Sequence, residues 1–268
     1  IHERAIMSAI LSVRGLEKRF GSVVAARDIS VTVPYLQTVG IIGANGAGKT
    51  SFVNMITGHL QPSKGSIWFE DRDITGRPSR EISRLGVARS FQAPQIFTSL
   101  SVLDNICAAT AIARTGGRLM SQTLTPLQSA ATRTDGEAAL GLFGIASCRD
   151  TRAAMLPQGV RKLLDIAMAV AGQPRLLLLD EPTSGISTGE KFGLMDVVMS
   201  RLKHRRITVL FVEHDMDIVG RYADRVLAFH DGAVIADGTP AVTLTNPRIQ
   251  ELISGPKLKA GTADCDHA

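Results

Sequence analysis

Short apolar runs closed by turn-forming residues recur along this chain, and segments with helical spacing lie between them. Ile10-Leu11-Ser12-Val13 and Ile29-Ser30-Val31-Thr32-Val33 alternate as half-buried strands do, and flank a turn at Phe20-Gly21-Ser22. Val39 to Ile42 reads as a strand, and a first helix is predicted from about Lys49 to Thr57, stopped by Gly58. Gly65 to Glu70 reads as a strand ending in an Asp71-Arg72-Asp73 turn, Arg80 to Leu85 as a helical turn, and Val87 to Gln92 as a strand. The texture then changes. Val102, Ile106, Ala109 and Ile112-Ala113 fit one helical face. Arg114 to Gly136 is poor in core residues and rich in Thr, Ser and Gly, so it reads as a loose connection. Glu137 to Phe143 resumes the helical spacing, and Val160 to Ala171 is a further helix. The consecutive leucines Leu176 to Leu179 read as a strand buried on both faces of a parallel sheet, and Ile207 to Val212 as the next buried strand. Val226 to Phe229 and Val234-Ile235 form a hairpin around Asp231-Gly232, and Asn246-Pro247 opens a last helix through about Ile253. The expected fold is α/β, with one domain over residues 9–254, in which a core of 9–95 and 156–254 carries a helical insertion at 96–155. Gly255 to Ala268 is expected to be a disordered tail.

One stretch gives this pattern a chemistry. Gly43-Ala44-Asn45-Gly46-Ala47-Gly48-Lys49-Thr50, followed by Ser51, fits G-x-x-x-x-G-K-[ST] at every fixed position and sits between a strand and a helix. Glycines let the backbone curl so that successive N–H groups point inward, a nest for an anion. The helix that follows adds its own free N–H groups and the positive end of its dipole. Lys49 would bridge the β- and γ-phosphates of a nucleotide, and the Thr50 hydroxyl would hold Mg²⁺.

Two further strand ends carry polar residues where open α/β sheets bind ligands. Asp180 and Glu181 follow the leucine run; Asp180 suits Mg²⁺, through water, and Glu181 can polarise a water attacking the γ-phosphate. His214, in Glu213-His214-Asp215, can hydrogen-bond that phosphate and orient the water. His59, His204 and His230 lack such a setting. Gln92 at a strand end can ligate Mg²⁺ through its carbonyl, although a lone glutamine says little by itself. Phe20 can stack on a purine or serve as a half-buried hairpin residue. Leu156-Pro157-Gln158-Gly159 opens a helix that can present N–H groups to an anion.

Composition narrows the picture only a little. The 268 residues are 44% hydrophobic, ordinary for an α/β protein, and no apolar run reaches the roughly 18 residues of a spanning helix. Ile1-His2-Glu3-Arg4 is charged with no long apolar region after it, so no secretory leader is expected, and Met7 is a candidate native start. Cys107, Cys148 and Cys265 are far apart with no metal-ligand spacing, which suggests a reducing cytoplasm with Cys107 in the core. The net charge of +5 suits a nucleotide-binding protein near an anionic membrane face. No basic stripe is interleaved with aromatics, so nucleic acid is not an expected partner. Lys203, Arg205 and Arg206 read as a solvated helix end.

The ordered set GANGAGKT, Gln92, a helical insertion, LLLLDEP and His214 resembles an ATP-binding-cassette ATPase over roughly residues 9–254. Gly86 to Gln92, Leu100 to Ile106, Val212 to Met216, and Asp237-Gly238-Thr239-Pro240 followed by Asn246-Pro247 are similar to the ATP-binding subunits of branched-chain amino acid importers. Related importers for urea, amides or other amino acids look much alike. The resemblance implies a P-loop core with an antiparallel β subdomain and an inserted α-helical subdomain. It implies ATP and Mg²⁺ as ligands, with Thr50, Gln92 and Asp180 at the metal and Phe20 stacked on adenine. It also implies a dimer of cassettes in which Gly159, in the signature segment, meets the partner's nucleotide. Membrane permease subunits would dock near Gln92 and the helical insertion, at the cytoplasmic face of the cell membrane, with a solute-binding protein in the same system.

The family signature is close to Leu-Ser-x-Gly-Gln, and here it reads Leu156-Pro157-Gln158-Gly159-Val160. Proline removes a hydroxyl and a backbone N–H, Val160 removes a polar side chain, and Ser187 stands where an acid or amide is usual. These departures fall on one composite site, so the expected dimer pairs this chain with a different cassette and has one slow site. A homodimer with two weakened sites is the alternative. Two rival classes remain: a soluble cassette protein acting on nucleic acid or ribosomes, which usually carries two phosphate loops per chain, and a phosphotransferase, which would need a second substrate pocket.

Overall fold

The computed structural model describes residues 9–115 and 130–254. The chain opens with two long strands, β1 (Ala9–Phe20) and β2 (Val23–Pro34), then β3 (Thr38–Gly43) runs into α1 (Lys49–Ile56). β4 (Lys64–Phe69), β5 (Arg72–Asp73), α2 (Ser79–Arg84) and β6 (Val87–Ser90) follow. The insertion holds α3 (Val102–Thr115), α4 (Ala130–Leu142) and two single 3₁₀ turns, Ala146–Cys148 and Ala153–Met155. The chain returns through α5 (Gln158–Ala171), β7 (Leu176–Asp180), α6 (Thr188–His204), β8 (Thr208–Val212), α7 (Met216–Tyr222), β9 (Arg225–His230) and β10 (Ala233–Gly238), ending in α8 (Pro240–Thr243) and α9 (Pro247–Ser254).

The strands form two sheets, an antiparallel one in the order β2-β1-β4-β5 and a six-stranded one in the order β10-β9-β3-β8-β7-β6. In the second sheet β9, β3, β8, β7 and β6 run parallel, and β10 closes one edge antiparallel to β9. Side chains alternate across a strand, and here the alternation separates two cores. Leu177, Leu179, Val209, Phe211 and Ile42 join the core under the helices. Leu176, Leu178, Leu210, Val212, Val39 and Ile41 join the core under the antiparallel sheet. All five residues of β7 and all five of β8 are buried, as expected for strands covered on both faces.

Several sequence expectations are corrected. β1 and β2 pair along 12 residues each rather than as short strands; their register shifts, including one between Val13 and Leu16, interrupt the alternation that would have revealed the length. Of the stretch 114–136 read as a loose connection, 114–115 and 130–136 are helical, and 116–129 lie outside the described residues. Gly136 lets α4 lie close on α3: a Cβ there would sit 3.1 Å from Cys107 Sγ and 3.1 Å from Leu103 Cδ1. Gln92 lies two residues beyond the end of β6 rather than in it. The helix predicted from Val160 begins at Gln158, with Pro157 as its N-cap. Helix α6 and the short helices α7 and α8 were not predicted as elements. The last turn of α6 leaves Lys203 exposed, and the C-cap Arg205 and Arg206 beyond it are exposed too, as expected of a solvated helix end. Cys107 is buried, and burial raises its thiol pKa. Residues 1–8, which include Met7, and the tail at 255–268 with Cys265 lie outside the described residues.

Candidate ATP site

The phosphate loop joins β3 to α1, and close approaches explain two of its glycines. A Cβ on Gly43 would come within 2.5 Å of the Phe229 carbonyl oxygen, and one on Gly48, at φ +98°, within 2.5 Å of the Ala25 carbonyl oxygen. The loop is tied down at Ala47, whose N–H donates to Ala44 O at 3.1 Å and whose carbonyl accepts from Gly232 N at 3.1 Å. Among the described residues, the N–H groups of Asn45, Gly46, Gly48, Lys49 and Thr50 have no hydrogen-bond partner. A row of unpaired donors ending at a helix N-terminus is an anion site. Lys49 is 6% exposed, and its Nζ donates to Gly43 O at 2.6 Å and Ala44 O at 2.9 Å, folded over the same loop. Burial lowers its pKa, and the nearby Glu181 and Asp180 carboxylates oppose that shift. Thr50 and Ser51 follow in the first turn of α1, Thr50 exposed.

Three predicted residues meet at the ends of β6, β7 and β8. Glu181 Oε2 accepts from Gln92 Nε2 at 2.7 Å, and Glu181 Oε1 lies 2.8 Å from His214 Nε2. Among the described residues the side-chain amide oxygen of Gln92 accepts no hydrogen bond, which suits a metal. Glu181 has φ +46°, a strained backbone for a residue with a side chain. Its N–H donates to Val212 O at 3.0 Å, which continues the β7–β8 pairing into the turn. Behind it, Glu213 is 3% exposed and accepts from Thr183 N at 2.9 Å, Thr183 Oγ1 at 2.7 Å and its neighbour His214 N at 3.2 Å. That carboxylate locks the loops after β7 and β8 together and so fixes the separation of Glu181 and His214.

Asp180 is held differently from the expectation of a carboxylate free for metal-bound water. Arg89 Nη2 donates to its Oδ2 at 2.6 Å, with side-chain exposures of 7% and 12%. Arg89 Nη1 also donates to Asn54 Oδ1 on α1 at 2.6 Å. The other Asp180 oxygen remains for a hydrated cation. Breaking a buried pair of this kind costs about 3–5 kcal/mol. Arg89→Met is therefore expected to lower Tm on the order of 10 °C; a melt unchanged by the substitution would mean that the pair contributes nothing to the fold.

The remaining candidates stand apart from this cluster. Phe20 ends β1 beside the hairpin turn, 51% exposed, with Lys18 Nζ 4.9 Å from its ring centre. The same hairpin carries Ala25, which abuts Gly48. Gly159 is in the first turn of α5, and a Cβ there would meet nothing within 4 Å among the described residues. Ser187 is the N-cap of α6, and its Oγ donates to Glu190 Oε2 at 2.6 Å, a helix-starting role. Sequence reasoning missed Arg89, Glu213, Lys162 and Asp165. All four are charged residues beside recognised motifs, and nothing in the local pattern told their burial.

A glycine cradle of free N–H groups, a lysine folded over it, and acids at the carboxyl ends of a parallel sheet define a P-loop nucleoside triphosphatase. Residues 26–184 match the model of the ABC transporter family. The chain is 32% identical over 243 residues, 90% of its own length and 95% of the relative's, to the "high-affinity branched-chain amino acid transport ATP-binding protein LivG" of Escherichia coli. It is also 32% identical to the "lipopolysaccharide export system ATP-binding protein LptB" of Acidithiobacillus ferridurans, over 94% of this chain and 100% of that one. Among solved structures, the ADP conformation of MJ1267, an ATP-binding cassette of an ABC transporter, superposes with a TM-score of 0.80 at 29% identity, covering 92% of this chain and 99% of that one. The chain belongs to the ABC transporter family and is its ATP-hydrolysing, nucleotide-binding part.

Proposed function

We propose that this chain powers a membrane importer, most specifically one for branched-chain amino acids, by hydrolysing magnesium–ATP at a dimer of cassettes. One observation carries the ATPase reading: Glu181 is gripped by Gln92 and His214 beside a cradle of unpaired N–H groups. In that arrangement the Glu181 carboxylate accepts a proton from the attacking water, His214 orients that water, and Lys49 with the loop N–H groups stabilises charge on the phosphates. Thr50, Gln92 and Asp180 would hold Mg²⁺, which would supply further neutralisation of that charge. The solute follows from the relative named for branched-chain amino acid transport. A second reading, an export system, is favoured by the similar identity to the relative named for lipopolysaccharide export.

Among the described residues no helix is long and apolar enough to cross a membrane. A groove of about 760 Å³ between the core and the helical insertion, with the exposed Phe97 and Ile112 on its wall, is the docking place for a permease. The second cassette is a different chain, since Pro157 caps α5 without an N–H or hydroxyl to offer a partner's phosphate. The deciding experiment is affinity capture of the chain from detergent-solubilised membranes, followed by reconstitution in liposomes. ATP-dependent leucine uptake with a co-purifying permease and a second cassette is the expected result. Capture with a lipid-export permease would replace the substrate, capture of a homodimer would remove the asymmetry, and recovery with ribosomes would overturn the transport reading.

A further inference from the structure

Lys162 sits on α5, three residues after Gly159, and is 2% exposed. A buried ammonium is costly unless its donors are used. Its three N–H groups meet three backbone carbonyls: Phe91 O at 2.8 Å, Gln92 O at 3.0 Å and, more distantly, Asp180 O at 3.5 Å. One helical turn on, Asp165 is 5% exposed and grips the same loop from its other side. Its Oδ2 accepts from Ser90 Oγ at 2.5 Å and its Oδ1 from Gln95 N at 2.8 Å. Further along, Asn105 of α3, fully buried, accepts from Phe97 N at 2.7 Å and donates to Phe97 O at 3.0 Å. Side chains of the two helices α3 and α5 thus hold the segment from Ser90 to Phe97, and that segment carries Gln92 to Glu181.

Resting on the reading of Glu181 as the base, we propose that Lys162 is a positioning residue for ATP hydrolysis, fixing the main chain at Gln92 so that its amide holds Glu181, with Asp165 closing the other side of the same clamp. Lys162 touches none of the reacting atoms and works through the carbonyls of Phe91 and Gln92. Methionine would nearly fill its volume but would leave these carbonyls without a donor, which is what the ammonium supplies. Through α5 the clamp also links the helix start at Gly159 to the loop that reaches Glu181.

Lys162→Met is expected to lower kcat about 10–10²-fold, the scale of a small misplacement at a reacting centre, while ATP affinity, measured without turnover by a fluorescent analogue, stays within about threefold. Lys162→Arg, which keeps the donors, restores most of the rate. In a Gln92→Ala background Lys162→Met adds no further loss, because both changes cut one path. Hydrogen exchange at the Phe91 and Gln95 amides speeds up in the nucleotide-free protein. Asp165→Asn, close in size, gives the same pattern with a smaller loss and serves if Lys162→Met does not fold. Equal falls in kcat and affinity, additive losses with Gln92→Ala, or unchanged exchange with unchanged kcat in the variant that folds would overturn the proposal. Full turnover in Glu181→Gln would instead refute the underlying site reading, a separate outcome.

Discussion

Glu181→Gln is expected to reduce ATP turnover by about 10²-fold or more, the usual worth of a positioned general base, while leaving magnesium–ATP bound. The amide keeps the size of the carboxylate, so the side-chain position between Gln92 and His214 survives, but it has no basicity to offer the water. The measurement is steady-state phosphate release alongside nucleotide affinity. In the assembled transporter the result also bears on symmetry. If the second site is slow, as the proline at the signature implies, removing this one base should silence the complex. Near-normal hydrolysis there would sink the unequal-pair reading and leave the cassette fold untouched.

Lys49→Ala should reach further, because it acts on binding as well as on chemistry. Its ammonium is the cation folded over the row of free N–H groups, hydrogen-bonded to Gly43 and Ala44. Loss of one charge-stabilising donor costs about 10²–10³-fold in rate. Here the triphosphate should also bind more weakly, since the same ammonium meets it before and during transfer. The Gly43 carbonyl it releases is buried and that of Ala44 part-buried, so a stability loss of about 1–3 kcal/mol should accompany the change. A variant that turns over ATP at the normal rate would show that the cradle is not the catalytic phosphate site.

What the sequence made legible was contiguous. The phosphate loop spells itself out in eight residues, and the leucine run with its two acids marks a buried strand whose end faces ligand. His214 and Gln92 were read from their places at strand ends, Gln92 with little weight until its order along the chain matched a family, and the structure brings both onto Glu181. What was hidden depends on distant partners. Arg89 belongs to the quoted segment Gly86 to Gln92, yet its pairing with Asp180 spans 91 positions. Lys162 and Asp165 looked like ordinary helix charges, and only tertiary contact turns them inward. Helix α6 did contain its signal, Leu194, Met195, Val198 and Leu202 at helical spacing, inside an otherwise polar stretch. The first half of helix α4 was obscured because Gly136, which packs closely against Cys107 and Leu103 of α3, carries no apolar side chain to mark the period. A glycine there reads as a loop in one dimension and as a contact surface in three.

The strand β7 supplies alternate side chains to two separate interiors, yet the side chains it supplies are all leucine. Sliding it by one position would leave either interior chemically unaware. The hydrophobic code of this strand is thus degenerate, and its phase must be set at its carboxyl end, through the ion pair of its last residue, Asp180, with Arg89 and the N–H of Glu181, just beyond it, on Val212 O. The acids proposed to serve the nucleotide double as the index mark that tells this inner strand where to stop.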